Sequence, residues 1–382
     1  MHSDLPMDVL FEAIGRGVPS AHPTGEDAQA YLQRELIATG GPSIRGDVHG
    51  PRWAVVAHAR ERTLIECAEV QALVALRGGT LATLLEGQSL LAWWRATLPR
   101  PRAVTVLGEA IPWSDVEALQ RSGPVVGRLP FADARRIAAW AVRTLARWNP
   151  EDDPAMPRRA WIVAPTDDDF TRELARCTLG ELEGVLAGLG FTVPPSARSE
   201  PHEPVSMVVL LTHGRETPVG DPVIPEVYRD RVLHAAETGA LIVHLGCHGA
   251  GRSKGTRYGD AVRLVGVQPF APAERDVHAP FALDCLARGA TAVLAHLDGT
   301  WSRTFESPDA LIQTIEWLAD GACTAGYAAA CLANEANRHA AEAMRYKIAG
   351  AFRDAGEAWI RYLDLSGFVC LGEACAWMRW RD

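Results

Sequence analysis

Two apolar runs of strand length, each ending on a reactive side chain beside a glycine, constrain this chain more than any other feature. Residues 206–214 read Ser-Met-Val-Val-Leu-Leu-Thr-His-Gly, and residues 240–249 read Ala-Leu-Ile-Val-His-Leu-Gly-Cys-His-Gly. The first run delivers His213; the second delivers Cys247, 34 residues later. In an open parallel sheet, ligands and chemistry gather at the carboxyl ends of the strands. Two neighbouring strands ending there place an imidazole beside a thiol, the minimal equipment of a cysteine nucleophile with its base.

The rest of the chain repeats the strand-then-helix rhythm. Strands are predicted at Trp53–His58, Thr80–Leu85, Ala103–Leu107, Trp161–Ala164, Met207–Leu211, Leu241–Leu245 and Ala292–Leu297. Helical periodicity marks Thr63–Leu76, Ser89–Thr97, Phe131–Arg147, Phe170–Leu189, Glu226–Glu237 and Pro280–Leu286, and helices cover much of 307–343. Gly78-Gly79 provides a C-cap for the first of these. Strands alternating with helices predict an α/β fold built on a mainly parallel sheet. Asn149-Pro150-Glu151-Asp152-Asp153-Pro154 is the best linker, being charged and carrying two prolines. The expected division is an appended segment over 1–50, a first α/β subdomain over 51–150, a catalytic subdomain over 151–345 and a C-terminal extension over 346–382. Residues 250–278, directly after Cys247, form a long polar Gly-rich loop, and loops of that length are more often functional than not.

Composition narrows the function. At 382 residues and 48% hydrophobic, the chain can bury a large core in two lobes. A net charge of −9 argues against a nucleic-acid binder, which shows a basic face, and leaves room for a basic peptide substrate. Eight cysteines without a CxxC pair read as reduced cytosolic thiols. No signal peptide and no membrane-length apolar stretch is evident, so a cytoplasmic location is expected.

A thiol attacks only as thiolate, so it needs a base or a positive neighbour. His213 at the next strand end can supply one. Gly214 and Gly246 allow backbone to approach a substrate, and N–H groups at such turns form oxyanion holes. The bland alternative is a buried small cysteine and a loop histidine. His244, inside the strand, and His248, beside Cys247, read as structural. A zinc site is disfavoured because His213, Cys247 and His248 lack paired ligand spacing; no metal and no cofactor is expected.

These residues resemble gingipain-type peptidases, within the wider caspase-like group that includes separases and CHAT-domain proteases. Thr212-His213-Gly214-Arg215-Glu216-Thr217 is similar to the gingipain histidine motif, and Gly246-Cys247-His248-Gly249-Ala250-Gly251 to the cysteine motif. The segment from Phe281 to Trp301 resembles the helix and strand that follow, where the terminal tryptophan, here Trp301, lines the specificity pocket. Val104–Gly108, Val126–Pro130 and the helix to Trp148 resemble the first gingipain subdomain. The likeness spans roughly residues 50–345.

The resemblance implies a caspase-like fold and a cysteine endopeptidase. His213 is then general base and acid, Cys247 the nucleophile, and the N–H groups of Gly214 and Cys247 the oxyanion donors. Glu151 or Asp152 corresponds to the acid that orients the histidine. Asp167, Asp168 and Asp169 stand where Arg-specific members bind a basic side chain, although a helix N-cap explains such aspartates equally well. Gingipains carry pro-segments and adhesin regions, and neither is evident in this sequence. That points to an intracellular bacterial protease with a defined protein target, such as a pore-forming or effector partner in a defence or cell-death pathway. Arg252, Lys254 and Arg257 would suit self-cleavage in the 250–278 loop. Two other readings stay open: a catalytically inactive binding or regulatory module on the same fold, and a small-molecule hydrolase or transferase using the same thiol.

Overall fold

The computed structural model describes residues 7–22, 53–148, 156–165, 169–193, 204–255, 273–300 and 308–376. The first part contributes β1 (Trp53–His58), α2 (Thr63–Glu66), α3 (Ala68–Leu76), β2 (Thr80–Leu84), α4 (Leu90–Ala96), β3 (Ala103–Leu107), α5 (Trp113–Arg121), β4 (Val125–Leu129) and α6 (Ala134–Trp148), preceded by α1 (Met7–Gly17). There follow β5 (Ala160–Val163), α7 (Asp169–Gly188), β6 (Met207–Leu210), the hairpin β7 (Gly214–Glu216) and β8 (Val219–Pro222), α8 (Glu226–Glu237) and β9 (Leu241–His244). The last part holds β10 (Gly251–Arg252), β11 (Val277–His278), α9 (Pro280–Arg288), β12 (Ala292–His296), α10 (Asp309–Ala319), α11 (Ala325–Ile348), α12 (Phe352–Leu365) and β13 (Phe368–Gly372).

Nine strands form one sheet in the order β2-β1-β3-β4-β13-β12-β9-β6-β5. The β5, β6, β9 and β12 strands lie side by side and parallel, so their carboxyl ends share one edge. The β1–β4 strands form a second parallel set. Between the sets lies β13, antiparallel to β12 and meeting β4 at Leu371 opposite Arg128. Residues 346–382, expected as an extension, thus supply the strand that joins the two sets.

The runs that look uniformly apolar in sequence are buried on both faces. Along β9, Ile242 faces one core with Val208, Leu210, Val293 and Phe281. Leu241 and Val243 face the other, with Met207, Val209 and residues of α10–α12. Each such side chain contributes about 1.5–3 kcal/mol on burial. Two ties hold the sets together beyond the sheet. Arg147 on α6 donates to the Thr291 hydroxyl (3.0 Å) and to the Gly289 carbonyl (2.5 Å) just before β12. Arg77, after α3, pairs with Glu373, after β13; both are buried, and the guanidinium lies 4.5 Å from the Trp53 ring centre.

Local chemistry explains several boundaries. Ser89 caps α4 by accepting the Ala92 N–H, and Thr324 caps α11 by accepting that of Tyr327. Pro280 opens α9, where its missing N–H costs nothing. The expected single helix over Thr63–Leu76 is two, because Cys67 takes an extended conformation between them.

Candidate active site

His213 and Cys247 leave the sheet at matched positions. Leu210 on β6 pairs with His244 on β9, so each reactive residue stands three residues past a paired strand end. The two chains stay in register beyond the strands: the Leu245 N–H donates to the Leu210 carbonyl at 2.8 Å. They then run in backbone contact. A Cβ on Gly214 would lie 1.7 Å from the Cys247 carbonyl oxygen, and one on Gly246 would lie 2.4 Å from that of Thr212. No side chain fits at either place, so the glycines beside both reactive residues are what lets the two loops meet.

His213 is half-buried. Its carbonyl accepts the Val223 N–H at 2.9 Å, and the Thr212 hydroxyl donates to the Val223 carbonyl at 2.8 Å. These bonds fold the β7–β8 hairpin back over the Cys247 turn. That hairpin brings the Glu216 carboxylate into electrostatic reach of the thiol.

The turn carrying Cys247 is fastened to the segment after β12. The Ala250 N–H donates to the His296 carbonyl (2.9 Å), and the Asp298 N–H donates to Gly251 (2.9 Å). The buried Asp298 carboxylate accepts the Ser253 N–H at 2.7 Å and the Ser253 hydroxyl at 2.5 Å. Sequence reasoning passed over Asp298. Its one signal was its place just past the apolar run Ala292–Leu297, the position type that delivers His213 and Cys247.

Cys247 is half-buried, with its sulfur against Thr300: the Thr300 N–H donates to Sγ at 3.4 Å. Burial pushes the thiol up to about 11; the Thr300 N–H works the other way, and the carboxylates of Asp364 and Glu216 add to the rise. The N–H groups of His248, Ala250 and Gly251 donate to the carbonyls of Asp298, His296 and His248, and the thiol also accepts from the Cys247 N–H. His244 and His248 are both buried. Burial lowers each to about 4; Asp221 works against this at His244, and Arg252 adds to it at His248.

Several expected residues lie outside the described ones: Glu151, Asp152, Asp167, Asp168, Trp301 and Arg257. Asp169 opens the backbone of α7. Arg252 and Lys254 do not sit on an open loop. Arg252 pairs with Val277 across β10–β11, and the Lys254 N–H donates to Asp276 at 2.7 Å. The seven cysteines whose side chains are described are free thiols. Among the described residues no group of His, Cys, Asp or Glu could hold a metal ion, and no helix is long and apolar enough to cross a membrane.

Neither the scan of protein-family models nor the search of curated proteins finds a match. Solved structures are similar. One is the Arg specific cysteine proteinase gingipain R, at 14% identity over 89% of this chain and 80% of that one, with a TM-score of 0.52. Another is described as a protease, at 12% identity over 90% of this chain and 81% of that one, with a TM-score of 0.47. A third is the separase–securin complex of Saccharomyces cerevisiae, at 14% identity over 71% of this chain and 15% of that one, with a TM-score of 0.39. The mainly parallel nine-stranded sheet between helical layers is a caspase-like α/β fold.

Proposed function

We propose that this protein is a cysteine endopeptidase in which Cys247 is the nucleophile and His213 its base. The observation that carries the reading is the backbone contact between the His213 and Cys247 loops at adjacent parallel strand ends. In the reaction the Cys247 thiol proton passes to His213, and the thiolate attacks the scissile carbonyl carbon. The Gly214 and Cys247 N–H groups face the resulting oxyanion. Collapse breaks the C–N bond, and His213 gives its proton to the leaving amine. Water, deprotonated by His213, then cleaves the thioester and restores the thiol.

The substrate is a protein cut after a basic residue. Support comes from the similar gingipain R, an Arg specific proteinase, and from this chain's net charge of −9. Asp167, Asp168, Asp169 and Trp301 are the proposed pocket, and Glu151 or Asp152 the acid that orients His213. The biological setting proposed is bacterial defence or cell death, with a pore-forming or effector protein as target.

One feature favours a second reading, an inactive binding module: burial around Cys247 pushes its thiol up to about 11. A peptide-library digest with wild type, Cys247→Ala and His213→Ala separates the two. Cleavage lost in both variants, with products ending in Arg or Lys, is the expected result. No cleavage by any protein above that of Cys247→Ala supports the module, and products with other termini overturn the basic preference.

A further inference from the structure

In β9 the sequence runs Leu-Ile-Val and then places a histidine, His244, in a fully buried strand. Its side chain is 1% exposed, and among the described residues neither ring nitrogen has a hydrogen-bond partner. A neutral imidazole carries one N–H and one lone pair, and leaving a buried polar group unpaired costs about 1–3 kcal/mol. An apolar residue would avoid that cost, so the ring's shape and place require an account.

The place is under the nucleophile turn. A Cβ on Gly246 would lie 2.8 Å from His244 Nε2. A Cβ on Gly249 would lie 2.7 Å from Nδ1 and 3.0 Å from Cγ. One edge of the ring therefore abuts the residue before Cys247, and the other abuts the residue after His248. Phe281 meets the ring edge-on, at 6.4 Å between centroids. Arg229 covers Phe281 at 4.9 Å and pairs with Asp221, so the base of this stack is itself fixed.

We propose that His244 is a positioning residue, a flat plate on which the Gly246–Gly249 turn rests and which sets the height of Cys247 in the site. The proposal rests on the reading of Cys247 as nucleophile. A planar ring on two rotatable bonds spans both glycines at once, one at each edge. Remove the ring, and the turn lies over a void. A displacement of about 1 Å at a reacting atom costs on the order of 100-fold in rate.

The test compares wild type, His244→Ala and His244→Phe in three measurements: kcat and KM on a cleaved peptide, the rate of Cys247 alkylation by iodoacetamide, and the thermal midpoint. His244→Phe restores a ring without polar atoms. We expect His244→Ala to lose about 10–100-fold in kcat with KM within about twofold, and to change the alkylation rate at least about fivefold. His244→Phe should recover to within about threefold of wild type on both rates. The proposal is overturned if His244→Ala keeps its kcat and alkylation rate, or if a folded His244→Phe is as impaired as His244→Ala. Should His244→Ala not fold, the folded His244→Phe decides alone by the same criterion. Should wild type cleave no peptide, the peptidase reading fails, and the alkylation rates still judge the plate.

Discussion

The N–H of His248 donates to the carbonyl oxygen of Asp298 at 2.6 Å, and both residues hold left-handed backbone, with φ of 59° and 68°. They are the two non-glycine residues with positive φ among the described residues. Each such conformation costs about 1–2 kcal/mol for an L-residue and persists only where its surroundings enforce it. Here each residue enforces the other, and Cys247 lies directly beside the bond.

Asp298 therefore fixes the turn that carries Cys247. Asp298→Ala leaves the Ser253 N–H and hydroxyl without their charged acceptor and should cost about 2–4 kcal/mol of stability. Asn, which tolerates left-handed backbone, should cost less than half as much. Urea unfolding of the two variants checks the order. Equal stability of Asp298→Ala and wild type would show that the carboxylate does not hold the turn.

The Cys247 thiol should be slow to react in the free protein. With a pKa pushed up to about 11, its thiolate fraction at pH 7 is small, and alkylation should accelerate about tenfold per pH unit up to that value. Rates of iodoacetamide labelling between pH 6 and 11, followed by mass spectrometry at Cys247, test this. A plateau already reached at pH 7 would mean a resting thiolate and an ion pair with His213.

The acid side of the stability curve belongs to buried histidines. His244 and His248 fall from 6.5 to about 4 on folding, with burial the largest cause. Between those values the unfolded chain binds protons that the folded one refuses. Stability is thus full above pH 6.5 and is lost as pH falls toward 4, by about 3 kcal/mol per ring. His278, driven down to about 3 by burial and by Arg128, acts in the same direction. Urea midpoints at pH 7 and pH 4.5 should differ accordingly, and His244→Phe should narrow the gap. Identical midpoints would refute the assignment.

The Arg77–Glu373 pair offers a test of how the two strand sets are joined. Glu373→Gln strands a buried guanidinium and should cost about 3–5 kcal/mol, whereas the double variant Arg77→Met/Glu373→Leu should recover most of it. Thermal unfolding of the three variants checks the order. A double variant less stable than Glu373→Gln would show that the charges themselves are needed.

What sequence could reveal depended on how locally each element announces itself. The β6 and β9 strands are legible because both faces are buried, so every position but His244 is apolar, and the glycine at each end marks the loop contact. The β4 strand does not announce itself in sequence, since Gly127-Arg128 interrupts its apolar run. Arg128 is tolerated there only because it is buried 4.2 Å from the Trp113 ring centre and donates to the Ile111 carbonyl at 2.6 Å. The α5 helix has no clean apolar stripe in sequence because Glu117 and Gln120 occupy buried positions; Gln120 serves the carbonyls of Ala329 and Phe368, far along the chain. The role of Asp298 depends on bonds to residues 45 and 50 positions earlier, which no local pattern encodes. The place of His244 inside a strand marks it as structural in sequence, but cannot show the ring seated beneath the turn.

The place of β13 sets a timetable. It follows every other described strand in the chain, yet it stands fifth in a sheet of nine. While the polypeptide is being made, β4 and β12 wait with open edges, and the Cys247 half has no neighbour on that side. The two strand sets become one sheet only once residues 368–372 have emerged to close the gap. The order of the strands along the chain thus makes the joining of the two halves wait for the last one.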